Sequence, residues 1–209
     1  MLELAAAQPD LPAEPASYVQ DARDSAARLI GLVNDLLDVS RLERGKLVAV
    51  PQEVRLEALT RHVLDEMSVL LQEKGHRLSV DGDEKLPPIM ADPQLLRQAI
   101  LNLVSNAVKY TPPRGEIAIR MEREGSAVRW SIHDTGIGVP DHSQGRLFEK
   151  FYRAENALAI ETEGTGLGLY LARLIMEQLG GRVWCESTEG CGATFTLTMP
   201  LGSEIDGTH

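Results

Sequence analysis

The chain has 209 residues, 43% of them hydrophobic and only 4% aromatic, enough for one aliphatic-cored domain of about 150 residues with an extra element, or two small domains. A formal net charge of −10 leaves no basic surplus to displace counterions, which argues against nucleic acid or an anionic membrane as a general partner. The two cysteines, Cys185 and Cys191, lack metal-ligand spacing, Met1-Leu2-Glu3 does not start a leader, and no stretch reaches the roughly 18 apolar residues that span a bilayer, so a reducing, cytoplasmic setting is expected.

Met1 to Ala7 reads as the end of a helix, and Gln8 to Pro15, with prolines at 9, 12 and 15, as a connection. Ala16 to about Arg44 is predicted to be one long helix. Val19, Ala22, Ala26, Leu29, Val33, Leu36 and Ser40 step alternately by three and four, and Ile30 and Leu37 widen the stripe. A single helix cannot bury such a seam on itself, so it reads as part of a helical hairpin that pairs with a second chain. The alternative is an amphipathic helix lying on the domain that follows. Gly45 ends it.

From Leu47 onward the pattern is mixed. Lys46 to Val54 looks like a strand interrupted by Pro51, Leu56 to Lys74 an amphipathic helix stopped at Gly75, and His76 to Val80 a strand. Asp81 to Pro88 is a loop and Ile89 to Ala91 a short extended piece. Asp92-Pro93 then opens a helix with an aspartate N-cap and proline at the first helical position. Gly115 to Arg123 and Ala127 to Asp134 are strands. After a long loop come a helix from about Thr165 to Leu179 and a final hairpin of Arg182 to Ser187 with Ala193 to Met199. Antiparallel strands with helices to one side describe an α+β fold, a two-layer sandwich whose sheet is mixed but mainly antiparallel.

Within the helix Leu95 to Thr111, Asn102, Asn106 and Lys109 fall in one narrow stripe opposite Leu96, Ile100, Leu103, Val104, Ala107 and Val108. Amide oxygens can ligate a hard cation such as magnesium, and a nearby lysine can neutralise phosphate; alone, two asparagines at this spacing more often form a solvated or capping pair. Asp134 continues the inward series Val128, Trp130, Ile132, and a carboxylate on the apolar side needs a donor. The bare backbone of Thr135-Gly136-Ile137-Gly138 follows, an arrangement that can accept the exocyclic amine of adenine or simply make a turn. Glu163-Gly164-Thr165-Gly166-Leu167-Gly168-Leu169 opens a helix whose unpaired amides can hold an anion. A dinucleotide-binding reading of these glycines fails, because Arg153 to Thr162 is a polar loop where a buried parallel strand is required.

Taken in order, Asn102-x3-Asn106-Ala107-x-Lys109-Tyr110-Thr111, Asp134-x-Gly136-x-Gly138, Phe148-Glu149-Lys150-Phe151-Tyr152-Arg153, Gly164-Thr165-Gly166-Leu167-Gly168-Leu169 and Gly190-x-Gly192-Ala193-x-Phe195 resemble the boxes of the catalytic domain of sensor histidine kinases. That domain belongs to the superfamily that includes gyrase, the Hsp90 chaperones and MutL. The resemblance covers about Arg23 to Leu201. It implies a partial dimerisation hairpin over 1–46, a catalytic ATP-binding domain over 47–201 and a tail over 202–209.

The resemblance further implies that ATP or ADP binds with magnesium ligated by Asn106, with Asn102 beside it. Lys109 and Tyr110 would line the phosphate and nucleotide side. Asp134 would hold the adenine amine, Gly136 and Gly138 would shape that wall, and Gly164, Gly166 and Gly168 would hinge a lid running from about Val139 to Glu163. Thr165, Leu167 and Thr194 complete the implied nucleotide-binding set. Arg153, with Lys109 and Asn102, would be catalytic, the guanidinium stabilising the transferring γ-phosphate. ATP-hydrolysing relatives carry a water-activating glutamate where this chain has Asn102, and an amide cannot be that base.

The expected function is therefore phosphoryl transfer to a histidine for relay to the receiver domain of a response regulator, within a homodimer formed by the 16–44 helix. One departure stands out: Met1 to Arg44 contains no histidine, so the acceptor expected on the first hairpin helix is missing and self-phosphorylation is not expected. Met1-Leu2-Glu3-Leu4 resembles the part of that helix just after the acceptor motif. The alternatives are an ATPase of the gyrase or chaperone type and a nucleotide-binding, non-catalytic dimerisation module.

Overall fold

The computed structural model describes residues 13–45, 49–82, 86–160 and 164–201. The helix end expected at Met1 to Ala7, Pro9, Pro12 and the 202–209 tail lie outside them. Helix α1 (Ala13–Glu43) begins three residues earlier than the sequence predicts. Pro15 therefore sits in the first turn instead of in a connection, where its missing N–H deprives the helix of no bond. Gly45, at φ 60°, turns the chain out of the helix.

The last turns of α1 dock on the rest of the chain. Val39 and Leu42 are buried, Asp38 accepts a hydrogen bond from Gln98 at 3.2 Å, and Glu43 accepts from Tyr170 at 2.7 Å and Lys150 at 3.1 Å. Those two bonds hold the Glu43 carboxyl below its ordinary range. Leu29, Ile30, Val33, Leu36 and Leu37 remain 42–63% exposed. The end of the helix thus lies on the domain, as the second sequence reading has it, and its seam is bare.

Strand β1 (Gln52–Val54) is shorter than the predicted strand. Ahead of it, the Val50 N–H is held by a side chain, the Asp92 carboxylate, at 3.0 Å. The single helix predicted over Leu56 to Lys74 is two, α2 (Leu56–Glu66) and α3 (Ser68–Glu73), parted at Met67. The Ser68 hydroxyl donates to the Asp65 carbonyl at 2.7 Å, the local competition with helical bonding to which serine is prone. Strands β2 (Arg77–Gly82) and β3 (Ile89–Ala91) follow, β3 pairing antiparallel with β1.

Helix α4 (Pro93–Tyr110) starts as predicted: the Asp92 carboxylate accepts from the N–H groups of Gln94 and Leu95 at 3.0 and 3.2 Å. Partial burial works against its charge, yet three backbone donors outweigh it and hold the carboxyl below its usual range. Strands β4 (Glu116–Glu124) and β5 (Ala127–Asp134), short helices α5 (Asp141–Gln144) and α6 (Glu155–Ile160), helix α7 (Gly168–Gln178) and strands β6 (Arg182–Ser187) and β7 (Ala193–Pro200) complete the described chain.

The main sheet runs β2-β4-β5-β7-β6, with β2 parallel to β4 and the other pairs antiparallel. One face of it, carrying Ile117, Ile119, Val128, Trp130, Ile132, Phe195 and Leu197, is buried in a single core with Leu96, Ile100, Leu103 and Val104 of α4 and Leu171, Ile175 and Met176 of α7. This is the two-layer α/β sandwich expected, with a mixed sheet. Among the described residues, no helix is long and apolar enough to cross a membrane.

Candidate active site

Helix α4 shows a polar stripe beside its buried one because its core face takes two of every four residues from Leu95 to Val108. The stripe, the end of β5, the glycine-rich start of α7 and the loop between them enclose a cavity of about 310 Å³. Asn102, Asn106, Lys109 and Tyr110 line it from α4, and Asp134 and Gly138 from the end of β5 and beyond. Arg153 lines it from the loop, and Gly164, Thr165, Gly166 and Gly168 from the glycine-rich turn. Eleven of the residues singled out in the sequence therefore share one hollow.

Asp134 is 4% exposed and its carboxylate accepts a hydrogen bond from the Gly136 N–H at 2.8 Å. Burial raises its carboxyl above the usual range, although that bond and the nearby His133 work the other way. An acid held this way has a strong appetite for an additional donor. Gly136 itself is not part of the cavity wall. A Cβ there would lie 2.6 Å from both the Asp134 carboxylate and the Tyr110 carbonyl, so its bareness makes room for the acid.

At the other end, two cations converge on bare backbone. A Cβ on Gly164 would stand 3.2 Å from Lys109 Nζ and 3.4 Å from Arg153 Cζ, and Arg153 donates to the Gly164 carbonyl at 3.3 Å. Positive charge next to an exposed glycine backbone suits phosphate oxygens. The Asn102 side-chain nitrogen, also in the lining, is buried and has no hydrogen-bond partner among the described residues. Such an unfilled donor fits a site that completes its bonding with a ligand. The donor chemistry also fits magnesium, which keeps waters and phosphate oxygens as ligands and needs few from protein. Among the described residues there is no group of three or more His, Cys, Asp or Glu that could hold a metal by themselves.

The loop over the cavity is pinned at its feet. The Phe151 N–H donates to the Gly166 carbonyl at 3.1 Å, and a Cβ on Gly166, which has φ +68°, would lie 2.7 Å from the Phe151 carbonyl carbon. Phe151 itself has φ 65°, a strained value for an aromatic residue and one this crossing enforces.

Two further members of the implied set sit elsewhere. Leu167 is fully buried in the core and does not line the cavity. Thr194 does not line it either. Alternation along β7 gives the inner face to Ala193 and Phe195 and sends Thr194 to the other, where its hydroxyl meets His133 Nδ1 at 3.0 Å. Phe195 takes its place in the wall, which the period of two would have indicated. Asp35 of α1 and Asn156 of α6 also line the cavity, and the motifs carried no sign of either. Burial, with Asp38 beside it, raises the Asp35 carboxyl above its ordinary range.

Residues 91–203 match the model of the histidine kinase-, DNA gyrase B- and HSP90-like ATPases. The chain is 38% identical over 195 residues to the circadian input-output histidine kinase CikA of Synechococcus elongatus, covering 90% of this chain and 25% of that protein. Among solved structures it resembles full-length ShkA in complex with AMPPNP, with a TM-score of 0.78 and 35% identity over 91% of this chain and 40% of that one. It also resembles the histidine kinase ThkA in complex with the response regulator protein TrrA, with a TM-score of 0.73 and 25% identity over 92% of this chain and 53% of that one. The chain thus spans a quarter to about half of the proteins it matches. A buried acid at one end of the cavity, a lysine and an arginine at the other and the match over 91–203 place this chain in the family of histidine kinase-, gyrase B- and HSP90-like ATPases, among its histidine kinase members.

Proposed function

We propose that the chain is the ATP-binding catalytic portion of a two-component sensor histidine kinase, which passes the γ-phosphoryl group of ATP to a histidine for relay to a response regulator. The observation that carries this reading is the meeting of Lys109 and Arg153 at the bare Gly164 backbone, in the same cavity as the buried Asp134. Asp134 accepts the adenine amine and fixes the base. Lys109 and the backbone of Gly164, Thr165 and Gly166 hold the phosphates, with Tyr110 beside them. A magnesium ion, held through the amide oxygen of Asn106 with Asn102 adjacent, supplies further neutralisation of phosphate charge. Arg153 offsets the charge that gathers on the oxygens of the γ-phosphoryl as its bond to ADP lengthens and a bond to the acceptor nitrogen forms.

Asn102 has no basic group with which to activate water, which favours transfer over hydrolysis. None of the five histidines lies in Met1 to Arg44; His62 pairs with Glu66, His76 meets the Thr111 carbonyl and His133 meets Thr194. The bare seam of α1 supports pairing with a second copy, and the capture of ThkA with TrrA supports a receiver domain as the downstream partner. Free cysteines and the need for ATP fit a cytoplasmic setting.

Incubation with γ-labelled ATP tests the proposal. Label is expected on a kinase-inactive chain that keeps the hairpin histidine, and none on this chain alone. Acid-labile label on this chain, or sustained phosphate release without an acceptor, would overturn it.

A further inference from the structure

We propose that the side-chain oxygen of Asn156 accepts a hydrogen bond from the nucleoside part of the bound nucleotide, making Asn156 a specificity-determining residue of this site. The proposal rests on the nucleotide reading of the cavity given above. Asn156 lies in α6, lines the cavity, and donates from Nδ2 to the Gly138 carbonyl at 3.0 Å. That bond settles which way the amide faces. A carbonyl oxygen only accepts, so the NH2 group must face Gly138 and the oxygen must occupy the other position. This oxygen is buried and has no hydrogen-bond partner among the described residues.

A buried acceptor without a donor is costly, and native structures seldom leave one unfilled. With no donor among the described residues, the remaining source is what fills the cavity. The chemistry of the atom narrows the ligand group. Phosphate oxygens are acceptors at neutral pH, so an amide oxygen cannot read them. A nucleoside offers donors at the ribose hydroxyls and at the 6-amino group of adenine. Gly138, which Asn156 grips, shares the wall with Asp134 and Ile137, whereas the Lys109 and Arg153 side chains meet at Gly164. Guanine carries an acceptor where adenine has its amine, so an oxygen reading that position also excludes guanine.

Calorimetric titration of wild type and Asn156→Ala with ADP, 2′-deoxy-ADP, 3′-deoxy-ADP and the diphosphate of purine riboside, which lacks the amine, tests this. The variant is expected to bind ADP about 3- to 10-fold more weakly. For the one analogue lacking the donor, wild type and variant should bind alike; its identity tells hydroxyl from amine. Equal weakening for all four ligands would mean that Asn156 acts only through Gly138, and no weakening that a water fills the oxygen's valence; either overturns the proposal. A melting curve confirms that the variant folds, and if it does not, Asn156→Gln carries the same cycle. Failure of wild type to bind ADP would instead remove the nucleotide reading itself.

Discussion

The indole N–H of Trp130, at the centre of the sheet, donates to the hydroxyl of Thr60 on α2 at 3.0 Å, and both residues are fully buried. The same hydroxyl donates to the Met121 sulfur at 3.6 Å. Thr60 therefore completes the bonding of the largest side chain in the core. Thr60→Val keeps the volume but strands the indole N–H, and is expected to cost about 1–3 kcal/mol of stability. Thr60→Ser should cost much less. Urea unfolding midpoints of the two variants decide it.

The stability of the chain should carry a pH signature from Asp134. Burial raises its carboxyl above the ordinary 3.8, so the folded chain holds a proton there that the unfolded chain has released. The resulting stabilisation is whole below the unfolded value and lost as pH climbs through the raised folded value. Thermal melts of Asp134→Asn should therefore lose less between acid and neutral pH than those of wild type. On the proposed reading, nucleotide affinity should run the opposite way in wild type, weakening at acid pH, because the ionised carboxylate is the stronger acceptor for an adenine amine.

On the proposed reading, Arg153 offsets the charge that gathers during transfer. Arg153→Ala is expected to slow phosphoryl transfer to a hairpin acceptor on the order of 10²-fold or more, while ADP affinity changes little. Single-turnover transfer and ADP titration separate the two. A loss of ADP affinity as large as the loss of rate would place Arg153 in ground-state binding instead.

The two thiols should react unequally. Burial, with Asp134 and Glu186 nearby, pushes the Cys185 thiol up to about 12, whereas Cys191 is exposed in the turn before β7. A thiol reagent at mildly alkaline pH should modify Cys191 quickly in the folded chain and Cys185 only on unfolding. Counting labelled residues by mass spectrometry checks this.

The exposed seam of α1 should govern association. Val33 and Leu36 are half exposed and lie outside the cavity, so Val33→Glu with Leu36→Glu should shift sedimentation toward a single chain and leave ADP affinity unchanged.

Most of the sandwich could be read from the sequence because its signals are local: the period-two runs of β4, β5 and β7, the Asp92-Pro93 start of α4, and glycines at turns. The break at Met67 could not, since a serine bonding backward leaves the apolar period of Leu56 to Lys74 intact. The site was legible where one element supplies several groups, as α4 supplies Asn102, Asn106 and Lys109. It was not where tertiary packing brings in a lone residue: Asp35 reaches the cavity because α1 docks through Val39 and Leu42, and Asn156 because it grips Gly138. Thr194 was misplaced by one residue, and on a strand one residue is the other face.

The crossing of Phe151 and Gly166 works as a drawstring. By holding the loop's two feet together, it closes the excursion between them into a ring, which the Asn156 bond ties back to Gly138. Lengthening such a ring is inexpensive, about 0.6 kcal/mol for each doubling. Short insertions there, away from Asn156, should therefore leave the fold's melting point nearly untouched.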